Sequence, residues 1–273
     1  YMPANGRVIT LGGFGISSKY ISIPRIESKI SKGGKWEGVG AHIPNTWDSK
    51  LAHIGPPSLY FPVIDEKIDS TKMNVVIGCS LDALTSVRYA AREGTKLDGL
   101  ILVSPFFELE NNFLWRVAKN RYVRRVLRAL PSFNVYTTPE KPTLEEVGDN
   151  GDFAGHAWSS PSDRLEFGAE SRKIYTHQIL NIVNYTEGAE RHFTECLARI
   201  KCPILVILTG ADTLAEPKLE ETFASDLLHR ENCEIRIIPG AGHALDDEGK
   251  PSKPYVDTAV QYIKKFLGGL GTA

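Results

Sequence analysis

Little in this 273-residue chain suggests a membrane span, an export signal or a disulfide scaffold. No apolar run reaches the roughly 18 residues that a helix needs to cross a bilayer. Residues 1–6 carry neither the basic stretch nor the apolar core of a signal peptide, so we expect a cytoplasmic protein. The spacing of the four cysteines matches no zinc site, and a chain of this length needs no disulfides to fold.

An excess of charge of one sign is also lacking, since the formal net charge is -1. Such a balance gives no overall field to attract nucleic acid, and we expect no nucleic-acid partner. We find no internal repeat and no low-complexity tract. The 42% hydrophobic and 24% charged residues are ordinary for a globular protein, and the length fits one large domain or one domain with an insertion.

Short apolar runs alternate with helical patterns along most of the chain. The runs predict strands at 7–11, 73–77, 97–103, 203–208 and 234–238. Helices are predicted at 84–92, 219–228 and 255–267. Weaker patterns predict a strand at 36–43 and a helix at 58–69 that Pro62 disfavours. Apolar strands that alternate with helices predict an α/β fold, with a mostly parallel sheet and helices on both of its faces.

The alternation stops between Phe107 and Arg199. This segment holds a basic amphipathic stretch at 113–130, a polar stretch at 137–168 and a predicted helix at 171–185. An insertion that follows a strand is typical of a cap beside a ligand site. We therefore predict a core in two parts, residues 1–106 and 200–273, with residues 107–199 inserted between them as a cap.

The segment Gly78-Cys79-Ser80-Leu81-Asp82 lies between a predicted strand and a predicted helix. It matches four of the five positions of G-x-S-x-G, the turn that exposes a nucleophilic serine in that context. Small residues must flank the serine where strand and helix approach each other. Gly78 meets this requirement, whereas Asp82 stands where a glycine is expected. The alternative is an ordinary helix start in which Ser80 is the N-cap.

Two other loops supply a carboxylate and an imidazole after predicted strands. Asp212 follows the strand at 203–208, and His243 follows the strand at 234–238. Alone, each has a commoner interpretation, as a turn aspartate or as a surface histidine. Together with Ser80 they have the chain order Ser, Asp, His of the α/β-hydrolases, each just past the carboxyl end of a strand. We predict Ser80 as nucleophile, His243 as base and Asp212 as acid, with Glu216 as a rival acid further from the strand end.

A serine nucleophile also requires hydrogen-bond donors for the oxyanion of its intermediate. The backbone N–H of Leu81, the residue after the serine, is one candidate. The glycine loop at 12–15, which includes Gly13, is expected to supply the second. A phosphate loop is the alternative for these glycines, but the lysine of that motif is missing.

These segments resemble those of α/β-hydrolases of the monoacylglycerol lipase and lysophospholipase-like group. GGFGISSKY at 12–20 is similar to the H-G-x-G loop, with Gly12 in place of the histidine, and DGLILVSPFF at 98–107 to the strand after the nucleophile. CPILVILTGAD at 202–212 and IIPGAGHALDDE at 237–248 are similar to the acid and base segments. The resemblance implies the α/β-hydrolase fold with a helical cap, and Phe14 and Leu81 as oxyanion donors. It also implies that the chain begins at the third strand of that fold.

The predicted function is a serine hydrolase that cleaves an acyl ester through an acyl-enzyme, with no cofactor and no metal. Its partner is a small-molecule acyl substrate, for which we expect a site formed by Gly13, Phe106, Phe107 and Trp115. Ordinary packing within the cap accounts for most of the aromatic residues as well.

Two alternatives remain open from the sequence. The basic residues between Arg116 and Arg128 form either a solvated helix face, which is the commoner case, or a surface for transient contact with an anionic lipid or an acyl carrier. The second possibility favours an acyl thioesterase or acyltransferase with the same triad. The departure at Asp82 favours a non-catalytic ligand-binding protein on a hydrolase scaffold, because a fold does not fix function.

Overall fold

The computed structural model describes residues 5–11, 22–41, 57–105, 117–131, 134–137, 173–175, 180, 183, 195–212, 230–243, 245–247 and 250–270. All statements about structure below concern these residues.

One six-stranded sheet forms the centre of the fold. Its strands are β1 (Gly6–Leu11), β2 (Trp36–Gly40), β3 (Met73–Cys79), β4 (Gly99–Val103), β7 (Ile204–Thr209) and β8 (Cys233–Ile238). Their order across the sheet is β2-β1-β3-β4-β7-β8, and every neighbouring pair is parallel. The predicted α/β fold with a parallel sheet is therefore confirmed. All carboxyl ends lie at one edge, where ligand sites of such sheets are found.

Helices cover the sheet on both faces. They include α1 (Ser22–Ser31), α2 (Phe61–Asp65), α3 (Asp82–Ala90), α4 (Arg121–Ala129) and α5 (Lys253–Leu270). A 3-10 turn, Pro57–Tyr60, leads into α2. Pro62 is the second residue of α2, where the missing N–H costs no intrahelical hydrogen bond, so it shortens the predicted helix rather than preventing it.

Two buried clusters form the core because successive strand residues point to opposite faces of the sheet. On one face, Ile9, Val76 and Leu100 pack with Leu84 and other residues of α3. On the other face, Val8, Val75 and Ile101 pack with residues of α1 and α5. The wholly apolar strands of the sequence are thus explained by a sheet buried on both sides.

The predicted helix at 171–185 is wrong over part of its length. Residues Lys173–Tyr175 form strand β6, which pairs antiparallel with β5 (Asn134–Thr137). Residues 180 and 183 are helical, as predicted. Two short strands that the sequence did not indicate, β9 (Asp246–Asp247) and β10 (Lys250–Pro251), pair with each other. The helix predicted at 219–228 lies outside the described residues.

Part of the predicted cap is buried against the core. Ala118, Leu180, Val183 and Leu197, all within the predicted cap, belong to the cluster on the α3 face of the sheet. These residues of the predicted cap therefore pack on that face. Among the helices that the structure describes, none is both long enough and apolar enough to cross a membrane.

Candidate active site

Ser80 lies in a strained turn between β3 and α3. Its φ of 52° is in the left-handed region, which residues other than glycine rarely occupy. The Ser80 N–H donates to the Val103 carbonyl oxygen of the neighbouring strand β4 at 3.0 Å, which ties the turn to the sheet. Strain of this kind concentrates at functional sites, where the surrounding structure holds it in place.

Gly78 allows α3 to approach β3 closely enough to form this turn. A Cβ atom placed on Gly78 would lie 2.3 Å from Ser86 Oγ, 2.8 Å from Ser86 Cβ and 2.9 Å from Ala83 Cα. No side chain fits at such distances. The sequence requirement for a small residue before the serine thus has a direct steric cause.

Backbone hydrogen bonds join the two loops that carry the acid and the base. Gly210 N–H donates to the Ile238 carbonyl oxygen and Ala211 N–H to the Ala241 carbonyl oxygen, both at 3.0 Å. Asp212 follows β7 and His243 follows β8. Since β7 and β8 are neighbours in the sheet, these bonds fix the distance between the carboxylate and the imidazole.

The structure brings the three predicted triad residues into one hydrogen-bonded chain. Ser80 Oγ lies 2.7 Å from His243 Nε2, and His243 Nδ1 lies 2.7 Å from Asp212 Oδ2. An ionised carboxylate only accepts hydrogen bonds, so Nδ1 carries the proton and Nε2 is free to accept from the serine. The side chains of His243 and Asp212 are only 10% and 6% exposed, which shields the pair from competing water. This arrangement can remove a proton from Ser80 and hold the imidazolium that results.

A protein-family model described as Hydrolase_4, serine aminopeptidase S33, matches residues 63–250. The chain belongs to this family. It is therefore a serine hydrolase. No curated protein matches the sequence significantly.

Solved structures of several hydrolases share the fold. A soluble variant of monoglyceride lipase from Saccharomyces cerevisiae, in complex with a substrate analog, has a TM-score of 0.67 and 15% identity, with 99% of this chain and 88% of that chain covered. Est1E from Butyrivibrio proteoclasticus has a TM-score of 0.59 and 16% identity, with 100% and 90% covered. The monoacylglycerol lipase of Paleococcus ferrophilus has a TM-score of 0.59 and 17% identity, with 96% and 95% covered. At these identities the similarity shows the α/β-hydrolase fold.

Of the other predicted site residues in this hydrolase, Leu81 is described. It is buried and immediately precedes α3, so its N–H is among the amides that find no acceptor within the helix. The remaining predictions, Gly13, Phe14, Phe106, Phe107 and Trp115 together with the rival acid Glu216, lie outside the described residues. In the part of the chain described, no three His, Cys, Asp or Glu side chains are grouped so that they could hold a metal ion.

Asp82 and Cys79 flank the serine turn and are both buried. Asp82 is 3% exposed as the first residue of α3, where a carboxylate is favoured by the helix dipole. Burial, and secondarily the negative charges of Asp82 and Glu27, raises the pKa of the Cys79 thiol well above its ordinary range. Cys79 therefore stays protonated and does not compete with Ser80 as a nucleophile.

Glu27 is a partly buried carboxyl group on the α5 side of the sheet. It lies on α1, and the Thr10 hydroxyl of β1 donates to its Oε1. Burial raises the pKa of Glu27 to about 7, and the hydrogen bond from Thr10 opposes that rise only in part. The sequence did not indicate this group, because α1 was not among the predicted helices. The spacing of Ile26 and Ile30 in that helix is the signal that was available.

The raised pKa of Glu27 predicts that the free energy of unfolding of this hydrolase falls as the pH rises. Its pKa in the folded state exceeds its unfolded value, so its contribution is complete below about pH 4.5 and is lost as the pH passes through about 7. We expect Glu27→Gln to remove this loss, so that the free energy of unfolding of the variant, relative to wild type, increases by on the order of 3 kcal/mol between pH 4.5 and 8. Denaturant unfolding at several pH values measures the difference.

Glu37→Gln is the matched control for that measurement. Hydrogen bonds from Lys72 and Arg7 lower the pKa of Glu37, so its contribution to stability is present at neutral pH and lost as the pH falls. The Glu37 variant should therefore become less stable than wild type as the pH rises. A Glu27 variant that followed the same trend would show that its carboxyl is ionised in the folded protein.

Proposed function

We propose that this hydrolase cleaves acyl esters through an acyl-enzyme intermediate on Ser80. The observation that carries the proposal is the chain from Ser80 Oγ to His243 Nε2 and from His243 Nδ1 to Asp212 Oδ2, with 2.7 Å at each contact. Ser80 is the nucleophile, His243 the general base and acid, and Asp212 the group that fixes the imidazole and stabilises its protonated form.

The reaction proceeds in two halves. Ser80 Oγ attacks the carbonyl carbon of the ester while its proton passes to His243 Nε2. The tetrahedral intermediate then collapses, the bond to the alcohol oxygen breaks, and the imidazolium returns the proton to the departing alcohol. A water molecule, deprotonated by His243, attacks the acyl-enzyme in the same way and releases the carboxylic acid and free Ser80.

Two backbone amides are proposed to stabilise the oxyanion, those of Leu81 and Phe14. The position of Leu81 at the start of α3 supports the first, because an unpaired amide at a helix N-terminus attracts negative charge. For Phe14 and for substrate contacts with Gly13, Phe106, Phe107 and Trp115, the support is the resemblance and the sequence pattern. We likewise keep residues 107–199 as a proposed cap over the site, between core parts 1–106 and 200–273.

An ester is preferred to an amide as the substrate. The family description names an aminopeptidase, whereas similar solved structures include two lipases of monoacylglycerols and a carboxylesterase. The aromatic side chains predicted for the substrate site at 106–107 and 115 suit an apolar acyl chain rather than a charged peptide amine.

A substrate panel tests the proposal. It compares p-nitrophenyl esters, acyl-coenzyme A thioesters of the same chain lengths and aminoacyl p-nitroanilides, with a fluorophosphonate probe to label the nucleophile. We expect the highest kcat/KM on the esters and labelling that Ser80→Ala abolishes. Higher kcat/KM on thioesters or anilides would show that the substrate is a thioester or an amide rather than an ester. A protein that neither turns over the panel nor reacts with the probe would be a binding protein.

Helix α4 supports a transient contact of the enzyme with an anionic lipid surface. Arg121, Arg125 and Arg128 lie along one side of its exposed face. Tyr122 and Val126, 65% and 61% exposed, lie beside them. A row of arginines next to exposed apolar side chains suits the boundary between phosphate headgroups and acyl chains. An acyl carrier would use the arginines and leave the apolar residues without a role.

The ester panel is therefore extended to vesicles of phosphatidylcholine with and without phosphatidylserine. Binding should require phosphatidylserine and be lost in the double variant Arg121→Glu/Arg125→Glu. Lys264→Glu/Lys265→Glu changes the charge equally on an exposed face of α5 and should bind as wild type does. If the wild-type enzyme binds no vesicles and the α4 variant turns over thioesters more slowly than wild type, the arginines contact an acyl carrier instead.

A further inference from the structure

A pair of buried hydroxyl groups lies behind the acid of the proposed triad. Thr209 is the last residue of β7, and Ser104 follows the last residue of the neighbouring strand β4. The two residues are 6% and 3% exposed. Thr209 Oγ1 lies 3.0 Å from Asp212 Oδ2 and 3.3 Å from Ser104 Oγ.

The direction of these hydrogen bonds follows from the number of protons available. An ionised carboxylate only accepts, so the single hydroxyl proton of Thr209 is donated to Asp212. The Ser104 hydroxyl must then donate to Thr209 Oγ1. The result is a directed chain from Ser104 through Thr209 to Asp212, and onward from Asp212 to His243 and Ser80.

Thr209 and His243 converge on the same atom of the acid. Asp212 Oδ2 accepts from His243 Nδ1 at 2.7 Å and from Thr209 Oγ1 at 3.0 Å. Rotation of the carboxylate about its Cβ–Cγ bond would break both bonds. Donation from Thr209 therefore holds Oδ2 where the imidazole needs it, and it stabilises the negative charge of a carboxylate that is almost fully buried.

Ser104 is fixed by its backbone rather than by its side chain. Its φ of 45° is in the left-handed region, and its N–H donates to the Ile207 carbonyl oxygen of β7 at 2.9 Å. That bond anchors Ser104 to the same strand that carries Thr209. The spacing of the two hydroxyls is thus set by the pairing of β4 with β7, which is part of the rigid sheet.

We propose that Thr209, supported by Ser104, is a positioning residue that orients Asp212 for catalysis. The inference rests on the proposed triad, since it assigns a role toward the acid of that triad. Neither residue touches the reacting atoms. Their contribution is to the turnover step, in which the imidazolium forms against Asp212, and not to the affinity for substrate.

Two variants of Thr209 separate the hydroxyl from the shape of the side chain. Thr209→Val keeps the shape and removes the hydroxyl, whereas Thr209→Ser keeps the hydroxyl and removes a methyl group. With a p-nitrophenyl ester we expect Thr209→Val to lower kcat by roughly ten- to a hundredfold with KM nearly unchanged, because bonds to ionised groups are strong. Thr209→Ser should stay within about threefold of wild type, and Ser104→Ala should fall between the two.

A double-mutant cycle with Asp212→Ala distinguishes positioning from a general effect on structure. The readout is the rate of Ser80 labelling by a fluorophosphonate, which remains measurable when turnover is slow. If Thr209 acts through Asp212, adding Thr209→Val to Asp212→Ala should change that rate by less than about twofold. An equal loss in both backgrounds, or a Thr209→Val enzyme with wild-type kcat, overturns the proposal.

The same set of variants keeps this proposal separate from that of the triad. Undiminished turnover by Ser80→Ala would refute the triad itself. Loss of turnover in Ser80→Ala and Asp212→Ala together with full activity in Thr209→Val would refute only the role of Thr209. If Thr209→Val fails to fold, Ser104→Ala in the same cycle tests the chain one bond further from the acid.

Discussion

Ser80→Ala is expected to lower the turnover of a p-nitrophenyl ester by about four orders of magnitude or more, with the fold intact. The substitution removes the only atom that forms the acyl-enzyme. It also removes the 2.7 Å contact with His243 Nε2, a single hydrogen bond, so the free energy of unfolding should change by about 1 kcal/mol or less. Steady-state kinetics and denaturant unfolding of the same preparation measure the two effects.

The other two residues of the triad should behave as parts of one unit. We expect His243→Ala and Asp212→Asn each to reduce turnover by about three orders of magnitude or more, and the double variants with Ser80→Ala to lose little beyond Ser80→Ala alone. Glu216→Gln is the control, because it removes the rival acid. If Glu216→Gln abolishes turnover while Asp212→Asn leaves it unchanged, the acid has been assigned to the wrong residue.

The parallel sheet and the positions of Ser80, Asp212 and His243 were accessible from the sequence for one physical reason. A sheet buried on both faces needs continuous apolar strands, as in ILVILT of β7, and such runs are visible without an alignment. Residues that directly follow these runs must lie at the same edge of the sheet. The chain order of a serine, an aspartate and a histidine at three such places then predicted the triad contact.

Features that depend on contacts between residues far apart in the chain could not be predicted from the sequence. Ile174 and Tyr175 occur in a stretch with a helical pattern, but pairing with Asn134–Thr137, some forty residues earlier, makes them a strand. The roles of Thr209 and Ser104 depend on the pairing of β4 with β7 across more than a hundred residues of sequence. A hydroxyl at a strand end is too common to be informative until its neighbour is known.

The structure gives the distances that explain why the motif needs a small residue at Gly78. The motif asks for a small residue before the serine, and Asp82 shows that the chain tolerates a large one after it. The difference follows from packing. A side chain at 78 would meet the backbone of α3, including Ala83 Cα at 2.9 Å, whereas Asp82 is the first residue of α3 and its buried side chain is accommodated there.

Gly78→Ala is therefore expected to destabilise the protein by about 3 kcal/mol and to lower turnover at least tenfold, because α3 and the Ser80 turn must move to admit a Cβ. The contact at 2.3 Å is with Ser86 Oγ, so Ser86→Ala should reduce the cost of Gly78→Ala by about 1 kcal/mol, while the contacts with Ser86 Cβ and Ala83 Cα keep it from vanishing.

Gly33→Ala is the control. A Cβ there meets no atom within 4 Å, and stability should change by less than about 0.5 kcal/mol. Denaturant unfolding of Gly78→Ala, Ser86→Ala, their double variant and Gly33→Ala measures these costs. Equal costs for Gly78→Ala and Gly33→Ala would mean that the helix is not packed against the strand as the structure describes, and that Ser80 does not owe its left-handed backbone to that packing.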